Sequence, residues 1–323
     1  MNILNKFQSL VSDEILAVED LMRKQSQGFN EDLQAALDHL ISSGGKRIRP
    51  NLTLLVGKML NGDMDRLITL SAAIEMLHTA TLVHDDLIDG SLLRRGIPTL
   101  NSKWTPAATV LTGDFIFAKA ANLAAETNSI PVMKLFANTL GVIVNGEITQ
   151  MFSSHCISDI DLYYKRIYSK TASLFETSTI SAAIISEADH AQKEYLRQFG
   201  YELGIAFQII DDVLDFTSNQ ENLGKPVGGD LRMGIITLPA IHYFSEYSND
   251  LLTKQFFDYE CNPPLDVLEE LIHNIRNSSA IKTSFDKANS HINFCIKALH
   301  KFPPCTERDA LEELACFVTQ RNI

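Results

Sequence analysis

Apolar residues recur three and four positions apart along almost the whole chain. LITLSAAIEMLHTATLVHDDLID, PVMKLFANTLGVIVNGEITQMF, YLRQFGYELGIAFQIIDDVLDF and ALEELACFVTQRNI all follow this period. On a helix it lines one face with side chains that leave water. The strict alternation of a half-buried strand is absent. Gly and Pro gather between the periodic blocks, in SSGGKRIRP, RRGIP, NLGKPVGGDL, ECNPP and KFPPC, and mark turns. No low-complexity linker or fixed-period repeat divides the chain. The pattern predicts one all-α domain over residues 1–323, with about ten or more helices at the usual length of about 11–12 residues. Ile205, Ala206, Phe207, Ile209 and Ile210 leave no polar face between them, so other helices surround theirs. Polar residues on such a helix are the informative ones.

Two apolar stretches carry the pattern DDxxD. HDDLID supplies Asp85, Asp86 and Asp89; QIIDDVLD supplies Gln208, Asp211, Asp212 and Asp215. At about 100° per residue, Asp85 and Asp89 lie about 40° apart on one helix face, as do Asp211 and Asp215. His78 falls about 20° from Asp85, and Gln208 sits within the second acidic face. Like charges four residues apart destabilise a helix, and more so when desolvated. A chain that repeats this arrangement in apolar surroundings needs a cation to offset it. Mg²⁺ fits, because it takes one or two carboxylates, keeps waters and accepts phosphate oxygens.

Composition narrows the partners. Lys and Arg number 28 against 40 Asp and Glu, a net charge of −12, which disfavours a general nucleic-acid binder. Hydrophobic residues make up 45% of the chain, enough for a large core and too many for intrinsic disorder. No uninterrupted apolar run reaches the length of a bilayer span and no signal core opens the chain, so a soluble cytoplasmic protein without a transmembrane segment is expected. Cys156, Cys261, Cys295, Cys305 and Cys316 are odd in number and form no CxxC pair. That usage suits reduced thiols better than a disulfide framework or a zinc site.

On an acidic chain, clustered cations stand out. GGKRIRP holds Lys46, Arg47 and Arg49, LLRRGIP holds Arg94 and Arg95, YSKTAS holds Lys170 and Thr171, and LGKPVGGD holds Lys225. Guanidinium pairs bind phosphate bidentately and lysine adds a point charge. Beside two cation-binding helices, these clusters suggest sites for more than one diphosphate. GGKRIRP lacks the spacing of a P-loop, and no Ser/His or Cys/His arrangement points to a covalent nucleophile.

The motifs GGKRIRP, HTATLVHDDLIDGSLLRRG, GDFIF, YSKTASLF, FQIIDDVLD, GKPVGGDL and TLP run in this order along the chain. In this it resembles the trans-isoprenyl diphosphate synthases of the polyprenyl synthetase family, and the long-chain heptaprenyl, octaprenyl and solanesyl types among them. The resemblance implies a helical bundle of the isoprenoid synthase type around a deep apolar cavity, in a homodimer. It implies that up to three Mg²⁺ ions are held by Asp85, Asp89 and Asp211, with Asp86, Asp212 and Asp215 supporting or extending the metal shell. It assigns Lys46, Arg49, His78 and Arg95 to isopentenyl diphosphate. Arg94, Lys170, Thr171, Gln208 and Lys225 are assigned to an allylic diphosphate, with Asp85, Asp89, Asp211, Lys170 and Arg94 as the catalytic set. One departure stands out: GIITLP places Ile235 where many short-chain members carry lysine.

In this family an aromatic residue five before the first aspartate acts as a floor for the growing product. Ala80 holds that position here, with Leu77 and Ile74 deeper on the same helix, so a product longer than farnesyl diphosphate is expected, suited to quinone side chains. A geranylgeranyl synthase is the nearest alternative. A class I terpene cyclase would carry a mixed Asn/Ser/Glu second motif and lack GGKRIRP. A di-iron carboxylate bundle could draw on ExxH at Glu75/His78, Glu187/His190 and Glu270/His273. A non-catalytic partner subunit would have lost aspartates from DDxxD, whereas both motifs are intact. His84, next to Asp85, is expected to be a packing residue.

Overall fold

Asn30, Asp63, Thr105 and Asp159 each turn a side-chain oxygen back onto the first free amides of a helix: those of Asp32 and Leu33, of Asp65 and Arg66, of Ala108, and of Leu162. Such caps supply donors' partners that the helix itself lacks. The computed structural model describes residues 7–94, 96–152, 156–217 and 227–320. In chain order its helices are α1 (Ser12–Lys24), α2 (Glu31–Ser42), α3 (Ile48–Met59), α4 (Met64–Ile88), α5 (Pro106–Glu126), α6 (Ile130–Phe152), α7 (Ile160–Ile167), α8 (Ser173–Ile185), α9 (His190–Thr217), α10 (Gly229–Arg232), α11 (Leu238–Glu246), α12 (Leu251–Asp258), α13 (Leu265–Asn277), α14 (Ser279–Leu299) and α15 (Thr306–Thr319). Of the described residues 78% are helical, in line with the expected all-α class. Two two-residue strands, β1 (Leu93–Arg94) and β2 (Ile97–Pro98), pair antiparallel after α4. They are too short to leave an alternation in the sequence.

The chain packs as two compact units. The first takes in residues 1–141, 174–200 and 298–314; the second takes in 142–173, 201–297 and 315–323. In the first unit α4 packs against α1, α3 and α5. Its residues from Leu70 to Leu77 are buried without interruption, so it is a helix enclosed on all sides. By length and composition alone α4 is long and apolar enough to cross a membrane, although Ser71, Glu75 and His78 interrupt its apolar run. Of its most apolar window, 67% is buried inside the protein, as befits a core helix.

Arg47 precedes α3 with φ of 45°, in the left-handed region. Its guanidinium donates to Glu19 at 2.8 Å, to Glu75 at 3.0 Å and to the carbonyl of Ile41 at 2.7 Å. The Arg47 and Glu75 side chains are only 9% and 7% exposed. Removing one member of a buried pair strands the other charge, which typically costs about 3–5 kcal/mol. Arg47→Met is therefore expected to destabilise the protein by about 3 kcal/mol, read as a lower denaturant midpoint at unchanged slope.

In the second unit the lead-in to α7 meets the end of α12. Cys156 and Cys261 are joined there by a disulfide, with Cα atoms 5.4 Å apart. The expectation that all five cysteines are reduced thiols is thus corrected. The partners stand 105 residues apart, so no local spacing reveals a pair that only the tertiary fold creates. Cys295, Cys305 and Cys316 take part in no disulfide.

Candidate functional site

The first acidic motif lies in the first unit, on the last turn of α4. Asp89 is the C-cap, at the negative end of the helix dipole where a carboxylate is disfavoured. Asp85 is half-buried and Asp89 exposed, while Asp86 is buried. The three residues thereby divide in two. The outer pair keeps access to solvent. Asp86 takes up Arg94, whose Nε lies 2.9 and 3.0 Å from its two oxygens, with Nη2 at 2.8 Å. The β1–β2 hairpin returns Arg94 to that carboxylate, and Asn101 donates to the Asp86 carbonyl.

His84 faces α5, donating to the Val110 carbonyl at 3.2 Å, lying 3.7 Å from Asp114 and packing on Phe117. A Cβ at Gly113 would collide with the His84 imidazole, which gives the glycine of GDFIF a reason. Lys46 is exposed and His78 half-buried. Arg49 is buried, its guanidinium 4.6 Å from the centroid of the Phe175 ring. A cation over an aromatic face is held without neutralising its charge. Ala80, Leu77 and Ile74 are fully buried on α4.

The second motif lies in the second unit, on α9, and repeats the division. Asp211 and Asp215 are half-buried, whereas Asp212 is buried. Asp212 accepts from Gln208 Nε2 at 2.9 Å and from the Tyr163 hydroxyl at 2.7 Å. Gln208 in turn accepts from Thr171 at 2.6 Å. Burial, with the charge of Asp230 adding to it, pushes the Asp212 carboxyl up to about 8 against those two donors. Burial also raises the Tyr163 hydroxyl well above its ordinary range, followed by the charge of Asp212. Asp215 accepts the backbone amides of Gly229 at 3.1 Å and Asp230 at 3.3 Å, which docks the GGD segment onto α9. Each oxygen retains further acceptor capacity.

Lys170 and Thr171 lie on a π-helical turn, Tyr168–Ala172, between α7 and α8, an insertion common at functional sites. Lys170 Nζ is 3.4 Å from Glu147 on α6, and Gly146 lacks the Cβ that would collide with Ser169. Ile235 is half-buried, and the neighbouring Ile236 carbonyl accepts from Arg166 at 2.6 Å. Arg95 and Lys225 lie outside the described residues. Tyr163 and Phe175 were not singled out from sequence. Each sits within a motif block, or just before one, but only the fold shows what it touches.

The outer aspartates offer carboxylate oxygens only. Among the described residues no three His, Cys, Asp or Glu side chains converge into a ready-made cage. A donor set of this kind fits a hard cation that also takes water and phosphate oxygens, as Mg²⁺ does. It does not fit the di-iron alternative: Glu75 is paired with Arg47, and Glu187, His190, Glu270 and His273 are exposed.

A family model described as Polyprenyl synthetase matches residues 30–265. Heptaprenyl diphosphate synthase component 2 of Bacillus subtilis is 34% identical over 315 residues, covering 97% of this chain and 90% of that protein. Octaprenyl diphosphate synthase of Haemophilus influenzae is 33% identical over 327 residues, covering 98% and 99%. The crystal structure of a polyprenyl synthase from Caulobacter crescentus, complexed with calcium and isoprenyl diphosphate, superposes with a TM-score of 0.91 at 34% identity, covering 99% of this chain and 98% of that one.

Proposed function

Because the chain belongs to the polyprenyl synthetase family and is a trans-prenyltransferase, we propose that its two aspartate motifs serve the Mg²⁺-dependent, head-to-tail condensation of isopentenyl diphosphate with an allylic diphosphate. The product is a trans-polyprenyl diphosphate longer than farnesyl, as the names of its long-chain relatives support, suited to quinone side chains. The observation that carries the site reading is the division within each motif: a buried, hydrogen-bonded middle aspartate and solvent-facing outer ones.

In this reading Asp85, Asp89 and Asp211 are the principal ligands of up to three Mg²⁺ ions, with Asp215 extending the set. Bound cations stabilise the charge that develops on a leaving diphosphate. Lys170, Thr171, Gln208 and Arg94, with Lys225, bind the allylic diphosphate oxygens, and Lys170 and Arg94 add positive charge where the allylic C1–O bond breaks. Lys46, Arg49 and His78, with Arg95, hold isopentenyl diphosphate so that its double bond meets the allylic carbocation. A carbon–carbon bond forms, and a proton passes to the released pyrophosphate. The apolar run of α4 keeps water from the cation. Asp86 and Asp212 act by position, fixing Arg94 and the Thr171–Gln208–Tyr163 network.

The homodimer and a cytoplasmic location belong to the same proposal. Val144, Ile148, Met151 and Phe152 form an exposed apolar stripe on α6, with Phe152 85% exposed, a face suited to a second copy. Incorporation of labelled isopentenyl diphosphate is the test. Counts are expected with an allylic primer and Mg²⁺, and none with a chelator. Failure with every primer would favour a second component, since the Bacillus subtilis relative is itself one component of a synthase.

A further inference from the structure

The segment leading into α7 has little apolar anchorage. Ile157 and Ile160 are 43% and 40% exposed. Ser158, Asp159 and Ile160 line an open groove of about 560 Å³ that separates them from the aromatic cluster of Phe244 and Phe257. Across from this segment, Glu260 and Cys261 follow α12 with φ of 50° and 63°, a left-handed conformation that residues with a Cβ rarely hold unaided. The Cys156–Cys261 bond ties this exposed segment to the turn after α12, which is itself fixed by bonds from the Glu260 and Cys261 amides to the Phe257 and Phe256 carbonyls.

Downstream of the bond, α7 carries Tyr163 to Asp212 and Arg166 to the Ile236 carbonyl, then runs into the π turn bearing Lys170 and Thr171. We propose that Cys156–Cys261 is a redox-responsive tether. Its reduction by a dithiol loosens α7 and weakens the hold on the allylic diphosphate. The kinetic part rests on the condensation proposed above. A bridge of this kind in a reducing compartment is characteristically transient and redox-sensing rather than a permanent staple.

Cys156 is half-buried and Cys261 only 4% exposed, so an incoming thiolate reaches the Cys156 sulfur first. It forms a mixed disulfide there, the Cys156–Cys261 bond breaks, and Cys261 leaves as a thiolate that takes a proton. The second thiol of the reductant then displaces Cys156, which is protonated in turn, and the reductant departs as its own disulfide. Two electrons and two protons pass from the dithiol to the pair. Cys295 is no competitor: burial pushes its thiol up, with the charge of Glu202 adding to the shift, which keeps it unreactive.

The test uses the full chain, oxidised with a cyclic disulfide or reduced with dithiothreitol. Non-reducing peptide mapping is expected to find the 156–261 link only in the oxidised form. On reduction, amide exchange over residues 156–172 is expected to quicken and the melting temperature to fall by about 5 °C. KM for the allylic diphosphate should rise about threefold or more, while that for isopentenyl diphosphate changes less than about twofold. Cys156→Ser should behave as the reduced protein and ignore dithiothreitol; Cys305→Ser should still respond. Absence of the link after oxidation would overturn the proposal, as would a link that leaves exchange, melting and KM unchanged. Should neither form turn over, the condensation reading fails by itself, and exchange and melting decide the tether, a change upholding it and no change overturning it.

Discussion

Asp85→Ala is expected to lower kcat by about 10²–10³-fold, the scale seen when one preorganised electrostatic contact to a developing charge is removed. Its melting temperature should move less than that of a variant at a buried aspartate, because Asp85 is only half-buried and sits at the negative end of α4, where a carboxylate is disfavoured. The informative comparison is Asp86→Ala, one residue on. That change removes the buried partner of Arg94 and should cost about 1–2 kcal/mol of stability, discounted because Arg94 can turn to solvent. A titration of melting temperature with Mg²⁺ and pyrophosphate separates the two: Asp85→Ala should lose most of the ligand-induced rise, and Asp86→Ala, whose Arg94 loses its positioning partner, should lose a smaller part of it from a lower baseline. Equal losses in both variants would contradict the division of labour within the motif.

The second large effect concerns product length. Ala80 is fully buried on α4, with Leu77 and Ile74 about 4.5 and 9 Å further along the axis at the rise of a helix. A phenyl group at position 80 intrudes at the shallowest of these levels, so Ala80→Phe is expected to truncate the product to about farnesyl or geranylgeranyl length. Overpacking of a filled core costs about 1–3 kcal/mol, so the variant should be assayed well below its melting temperature. Leu77→Ala should shift the distribution the other way. An unchanged length distribution from an Ala80→Phe enzyme that still turns over would refute the role given to α4.

These predictions rest on features of unequal visibility in the sequence. The helices were legible because a 3.6-residue period survives in any helix with a buried face, and the aspartates because like charges four apart in an apolar run are costly enough to require a reason. What stayed hidden is what the fold makes from distant pieces. Tyr163 reaches Asp212 across 49 residues, and Cys156 reaches Cys261 across 105. Nothing local in either segment encodes its partner. The π turn at Tyr168–Ala172 looks in sequence like any continuation of α7 into α8. Arg47 shows the opposite error: it reads as one more phosphate cation in GGKRIRP, yet each of its three nitrogens donates inward, to Glu19, Glu75 and the Ile41 carbonyl. Only Lys46 and Arg49 of that motif stay in the substrate role proposed for them.

The central claim is that this chain condenses isopentenyl diphosphate onto an allylic diphosphate to give a long-chain product, and product sizing tests it most directly. The purified protein is given farnesyl diphosphate, excess labelled isopentenyl diphosphate and Mg²⁺, and the extracted, dephosphorylated products are separated by length. A ladder whose end point lies beyond geranylgeranyl is the predicted result. Products that stop at geranylgeranyl would contradict the long-chain assignment, and a cyclised hydrocarbon released without uptake of label would contradict the condensation itself.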